Sequence, residues 1–305
     1  APPVSVKVTG DVAVTGNVTL PATNLDLAAA TLTTAAGAAA STVNLQTSTT
    51  VNGIDAKGSL TLAGNTVTVT GTAAVAKDAT LAIGSTAGLT LNGEVTVATG
   101  AAIEVSGTYT LDADASGTNN GTVTVNNGGE IKSYAHIDGD GENIVKEGGK
   151  VGFDSVNTTT YIAGPGGLFV PSGDGTFTYG NGFYTINGPV SVNGTWNTGL
   201  IGLHDIKLHV ASGTLTIPTD KWLRLTNADA DDVADTAHPR SLTGAEDAKI
   251  EVVGKLYLEK ASVTVNFYTS TGTVVSYTED GAFYVVPAGT YNWTPASNRW
   301  VATAP

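Results

Sequence analysis

The sequence predicts an all-β chain wound as a parallel solenoid, and three observations predict it. Short runs alternate an aliphatic residue with a small or polar one, most cleanly over Leu89–Leu111 (LTLNGEVTVATGAAIEVSGTYTL). Such period-two alternation is the mark of a half-buried strand. Gly93, Gly100 and Gly107 punctuate these runs at seven-residue intervals and read as corners, where glycine accepts positive φ. The strand starts at Leu81, Leu89, Val95, Ile103 and Tyr109 step by 8, 6, 8 and 6, so three steps total 22 or 20 residues, the size of one coil of a three-sided solenoid. Two steps total 14, which suits a flatter two-sided coil; short strands with glycine corners favour three sides. Coils stacked about 4.8 Å apart set each inward residue over its counterpart, which calls for aliphatic rows inside and strand-forming threonines outside.

Composition agrees. Charged residues make up 13% of the 305 and hydrophobic ones 41%, too apolar for a disordered chain and too thinly charged for a helical one. A formal charge of −13 and a pI near 4.5 argue against nucleic acid or an anionic membrane as partner. No apolar run approaches the ~18 residues that cross a bilayer as a helix. The chain has no cysteine and no methionine and begins Ala-Pro-Pro, the expected appearance of a mature exported protein after removal of a signal peptide. Thermal adaptation is not expected, because seven Asn-Gly pairs are chemically labile.

Taken in order, residues 1–20 form an N-terminal strand segment. Val4–Val8, Val12–Val14 and Val18–Leu20 are strands with almost no loop between them. The first pairs either within its own molecule or with a neighbouring subunit's sheet edge. Residues 21–128 form a narrow solenoid, with Leu25–Leu45 read as strands carrying alanine in the interior. Leu60–Gly64 matches Leu89–Gly93, and Val67–Gly71 resembles Val95–Gly100, at offsets of 29 and 28. Tyr109 is the single aromatic in residues 1–128, and the other nineteen follow. Residues 129–249 are accordingly read as a wider solenoid with inserted loops, including the acidic stretch Asn227–Asp247. Residues 250–305 resume as aromatic-rich strands with tight turns and read as a C-terminal β cap.

The glycine-spaced runs from Val51 to Leu111 resemble secreted right-handed β-helix proteins, the pectate-lyase-like and adhesin-type solenoids of bacterial and archaeal surfaces. The resemblance implies export to the cell surface. Members that cleave polysaccharide use clustered aspartates, for which Asp231-Asp232 and Asp138-Gly-Asp-Gly-Glu142 are the nearest counterparts. Asp231 and Asp232 lie in a loop, and no rigid face sets their separation. Asp138, Asp140 and Glu142 are a candidate calcium site, because oxygens at alternate positions can wrap a hard cation; against it, Asn143 stands where an EF-hand has its turn glycine and Gly149 where it has the closing glutamate. The histidines His136, His204, His209 and His238 show no metal spacing, and no serine lies in a nucleophile-elbow sequence. Trp196 and Tyr184 are candidate stacking platforms for sugar rings, with core packing as the simpler reading of the aromatics. Asn-X-Thr sequons occur at Asn17, Asn120, Asn157, Asn193 and Asn292.

No motif carries reaction chemistry, so the expected role is non-enzymatic. The sequence points to an extracellular structural subunit that polymerises into a surface filament, pilus-like fibre or layer. Assembly is expected through strand donation or edge pairing at Val4, Val6 and Val8, with Tyr291, Trp293 and Trp300 at the complementary interface. A glycan-binding surface adhesin is the alternative and a polysaccharide lyase or hydrolase the third reading. Copies of the chain itself are the expected partner, and no cofactor is expected apart from the calcium candidate.

Overall fold

The computed structural model describes residues 6–135, 137–153, 168–169, 171–180, 183–192, 195–197, 207–225, 241–260 and 266–304. The chain is a parallel β-solenoid. It divides into two compact units, Ala1–Ile144 and Val145–Pro305.

In the first unit the chain cycles through three faces. One holds Val6–Ala13, Leu25–Thr34, Gly53–Ala56, Thr72–Val75, Glu94–Val97 and Ser116–Asn119, stacked in that order. The second holds Asn17–Leu20, Ser41–Leu45, Leu60–Gly64, Thr80–Ile83, Ala102–Val105 and Thr122–Val125. The third holds Thr49–Val51, Thr66–Val69, Gly88–Leu91, Thr108–Leu111 and Glu130–Ser133. Neighbouring strands on each face are parallel. The coil is three-sided, and Leu60, Leu81, Ile103 and Val123 lie in register at steps of 21, 22 and 20 residues.

The inward rows are continuous. Leu62, Ile83, Val105 and Val125 stack with no more than 1% exposure. Val67, Leu89, Tyr109 and Ile131 form a second row that takes in the one ring of the narrow core. Burying each such aliphatic side chain stabilises by roughly 1.5–3 kcal/mol, and none of it is available to a coil without neighbours. Thr68, Thr90 and Thr110 alternate outward between these positions.

Three details differ from the sequence reading. The 29-residue match between Leu60–Gly64 and Leu89–Gly93 is not the coil period: Leu60 lies under Leu81, whereas Leu89 lies over Val67 on another face. The Leu-Thr-Leu-x-Gly pattern suits any face, so it recurs one coil plus one side later. Corner glycines also do two jobs. Gly100 has φ +81°, but Gly93 and Gly107 do not adopt positive φ. They are glycine because a Cβ there would collide with backbone carbonyls of the coil beneath, Gly71 for Gly93, and Ala87 and Gly84 for Gly107. Finally, most alanines of Leu25–Leu45 are outside. Ala30 is buried, but Ala28 and Ala29 are exposed where the register with Val6–Ala13 shifts, and Ala35, Ala36 and Ala38–Ala40 occupy an exposed corner.

The second unit keeps three sides with longer coils. Leu208, Leu215 and Leu223 lie under Leu242, Ile250 and Leu256, so this coil takes 33 to 35 residues. The acidic stretch at 227–240 lies outside the described residues. Beyond this coil, on two faces, the next strand is antiparallel, as Thr176–Gly180 is to Phe183–Asn187 before it. Gly289–Thr294 runs antiparallel to Lys249–Val252, and Phe283–Val286 runs antiparallel to Lys255–Glu259. On the third face no strand follows Ser241–Gly244 among the described residues. Instead Trp300 Nε1 donates to the Leu242 carbonyl at 2.8 Å and Asn266 Nδ2 donates to the same oxygen at 3.1 Å.

Candidate functional site

Among the described residues, the surface without a covering strand is the first coil of the first unit. Val6–Ala13 (VKVTGDVA) forms a strand because valines at alternate positions gain burial on one side. Val12 lies opposite Leu32, and Val14 just beyond is 3% exposed, so even-numbered residues point inward and Lys7, Thr9, Asp11 and Ala13 point outward. The strand pairs in parallel with Leu25–Thr34 of its own chain and, among the described residues, with nothing on its other side.

The hydrogen-bond phase of this edge follows from its two ends. Val6 N–H donates to Asn24 O at 2.7 Å, and Val14 N–H donates to Thr33 O at 2.8 Å. Even-numbered residues at both ends therefore spend their backbone groups on the Leu25–Thr34 side, and the parity is kept across the one-residue register shift opposite Val8 and across Gly10. In a strand the intervening residues direct theirs the opposite way, so the N–H and C=O groups of Lys7, Thr9 and Asp11 form the open edge. The aliphatic rows are open as well. Val12, Val18 and Leu20 are half-buried, while the residues above them in register, Leu32, Val43 and Leu45, are 1–2% exposed; Val6 is 55% exposed. Among the described residues, the first coil lacks the covering layer that the coil above it has.

In the second unit the corresponding layer is present. The antiparallel strands and indole contacts cover the three faces after the last coil among the described residues, and the outermost strand of one face, Thr278–Asp280, is exposed and carries Glu279 and Asp280. Charge on an exposed edge strand discourages pairing. Tyr291, Trp293 and Trp300, expected at an interface between subunits, are 2%, 7% and 0% exposed within the chain. Trp300 packs against Phe267 and Trp293 with ring centroids 6.3 and 5.0 Å apart, and Phe267 meets Tyr291 edge-on at 5.0 Å. They are the core of the cap, because large rings fill the space where the repeating aliphatic rows end.

The remaining candidates are placed as follows. Val4 lies outside the described residues. Trp196 and Tyr184 lie in strands, at the register positions of Leu223 and Leu208 respectively; their side chains are outside the description. Asp138 bridges to Thr118, Asp140 N–H donates to Asn120 Oδ1 at 3.1 Å, and Glu142 N–H donates to Gly121 O at 3.0 Å. The backbone of this segment is thus held in register on the Asn119–Gly121 corner below, while its three carboxylate residues are exposed. Among the described residues, no group of three or more His, Cys, Asp or Glu side chains is gathered to hold a metal ion. Asp231 and Asp232 lie outside the described residues, as do His136, His204 and His238. His209 Nδ1 is 2.9 Å from Thr243 Oγ1, and partial burial lowers its pKa. Among the described residues no helix is long and apolar enough to cross a membrane.

Sequence reasoning missed one cluster on an outward face of the second unit. The Arg224 guanidinium lies over the rings of Trp222, Tyr257 and Phe283 at 4.8, 5.1 and 4.6 Å. On that face it joins the last parallel strands to the antiparallel strand that follows them. The signal was present as Trp222-x-Arg224 and Tyr257 at outward positions, but only the register between coils brings them together.

Comparison with protein-family models, with curated proteins and with solved structures finds no match.

Proposed function

We propose that this chain is an extracellular structural subunit of a surface filament, pilus-like fibre or layer, and that copies of it associate through the open edge Val6–Ala13. The observation that carries the reading is the unfinished first coil, with outward backbone groups at Lys7, Thr9 and Asp11 above half-buried valines. An edge of this kind pairs with another strand unless it is covered, bent or charged. The capped last coil of the second unit shows what a closed solenoid layer looks like in the same chain. Export is supported by the absence of sulfur residues and by the resemblance to secreted β-helix surface proteins. Because Val6–Ala13 already pairs within its own chain, the contact adds a strand beside it and does not lend it away.

Deleting the strand is a poor test, since Leu25–Thr34 would then become the edge. Thr9→Pro is cleaner. Thr9 directs its N–H away from its own ladder, so proline removes an outward donor and obstructs approach while sparing the internal bonds. Negative-stain microscopy should show assemblies for the wild-type chain and isolated particles for T9P. Assemblies of unchanged form in T9P would refute this surface.

A further inference from the structure

We propose that the partner strand at this edge is the same strand of a second copy, running antiparallel about a two-fold axis at Thr9, so that Lys7 of each copy faces Asp11 of the other. The inference rests on the reading that Val6–Ala13 is the assembly surface, and it specifies the geometry of that contact.

Phase restricts the register first. In an antiparallel ladder, directly opposed residues exchange both backbone bonds at every second position. The outward groups belong to odd-numbered residues, so odd must oppose odd and the numbers of opposed residues must sum to an even value. Charge then selects among the even sums. A sum of 14 sets Lys7 against Lys7, and a sum of 22 sets Asp11 against Asp11; like charges directly opposed are destabilising. Sums of 16 and 20 set Lys7 and Asp11 against uncharged residues and gain no ion pair. A sum of 18 opposes Lys7 to Asp11 twice, with Thr9 facing Thr9 on the axis.

The inward face fits the same register. Val6 then opposes Val12, and Val8 opposes Gly10. Gly10 has φ +84°, and nothing lies within 4 Å of where its Cβ would be, which leaves room for the partner's Val8. A two-fold axis perpendicular to the sheet keeps the interior of both copies on one side, so the half-buried rows of the two first coils cover each other. Within its own chain Lys7 lies opposite Asp26, and Lys57, bonded to Asp55 at 2.9 Å, lies near Asp11. The contact is isologous and closes on itself: the building block is a dimer, and any growth into a fibre or layer proceeds through other surfaces.

Sedimentation velocity on charge-reversed chains tests this. In a homodimer of K7D the facing pair becomes two carboxylates, and in a homodimer of D11K it becomes two ammonium groups. Each variant alone should therefore dimerise roughly ten- to thirty-fold more weakly than wild type. An equal mixture of K7D and D11K regains attraction, because the heterodimer sets the two carboxylates of one chain against the two ammonium groups of the other; it should recover wild-type affinity. T9C supplies a second readout in a chain without other cysteines. Opposed residues about 5.5 Å apart are within disulfide reach, so mild oxidation should give a disulfide-linked dimer. If wild type associates and T9P does not, yet the mixture fails to recover or T9C gives no linked dimer, the two-fold register is wrong while the edge remains the assembly surface. If wild type stays monomeric throughout, both proposals fall.

Discussion

Replacing Gly107 by alanine tests whether the corner glycines are set by coil-to-coil contact. A Cβ at Gly107 would lie well under 3.0 Å from the carbonyl oxygens of Ala87 and Gly84, both main-chain atoms of the coil beneath. Neither can rotate away, so the coils must part locally by roughly an ångström, in an interior packed too tightly to absorb it. The bonds holding the corner, Gly107 N–H to Ile83 O and Thr108 N–H to Ala87 O, are each 3.1 Å long. Stretching them that far takes them out of hydrogen-bonding range. Two lost backbone bonds at about 1 kcal/mol each, with an overpacking cost of about 1–3 kcal/mol, predict a loss of about 3–5 kcal/mol. Gly128→Ala is the control: Gly128 has φ +80° but open space around the added atom, so it should lose only the left-handed strain of about 1–2 kcal/mol. Urea unfolding followed by far-UV circular dichroism reads both. Equal losses, or a G107A loss below about 1 kcal/mol, would refute the steric account and return the corner to a matter of backbone dihedrals.

Further predictions concern the two cores. Trp300→Ala should destabilise the second unit by about 4 kcal/mol, because it removes the ring that packs on Phe267 and Trp293. Trp300→Phe should cost about 1–2 kcal/mol, since the Leu242 carbonyl keeps its bond from Asn266; urea titration followed by the three remaining tryptophans measures both. Burial raises the pKa of Tyr109 above its usual 10.0. Unfolded tyrosine loses its proton near pH 10 while the buried one keeps it, so the stabilisation is complete below pH 10 and is lost as pH rises beyond it, by about 1.4 kcal/mol per unit. Tyr109→Phe should lose that component of the alkaline slope in parallel urea titrations above pH 10, and an unchanged slope would contradict the burial.

Much of the first unit was legible because its physics is local and repeated. Leu89, Leu91, Val95, Val97, Ile103 and Val105 alternate as the inward rows require, and the spacing of strand starts gives a coil of 20 to 22 residues. The offset of 29 misled because Leu60–Gly64 and Leu89–Gly93 satisfy the same strand chemistry on different faces. Gly93 and Gly107 were recognised as corners for the wrong reason, since the atoms that forbid a Cβ belong to residues some 20 positions earlier. Tyr291, Trp293 and Trp300 show the harder limit. Aromatic strands after Ile250 indicate a change of packing, but whether the rings face a partner or a coil of the same chain depends on antiparallel register. At the edge the sequence was legible as two strands, Val4–Val8 with little charge and Val12–Val14, which the structure runs together through Gly10 as Val6–Ala13; the phase, and with it the role of Lys7 and Asp11, needed the bonds at Val6 and Val14.

Amide hydrogen exchange along Val6–Val14 across a protein dilution series tests the central claim most directly. In the isolated chain, protection should alternate, with Val6, Val12 and Val14 slow and Lys7, Thr9 and Asp11 fast. As concentration rises and copies pair, Lys7, Thr9 and Asp11 should become protected together, while T9P shows no such gain at Lys7 and Asp11. Fast exchange at Lys7, Thr9 and Asp11 in chains that have assembled would contradict the account, because the contact would then lie elsewhere.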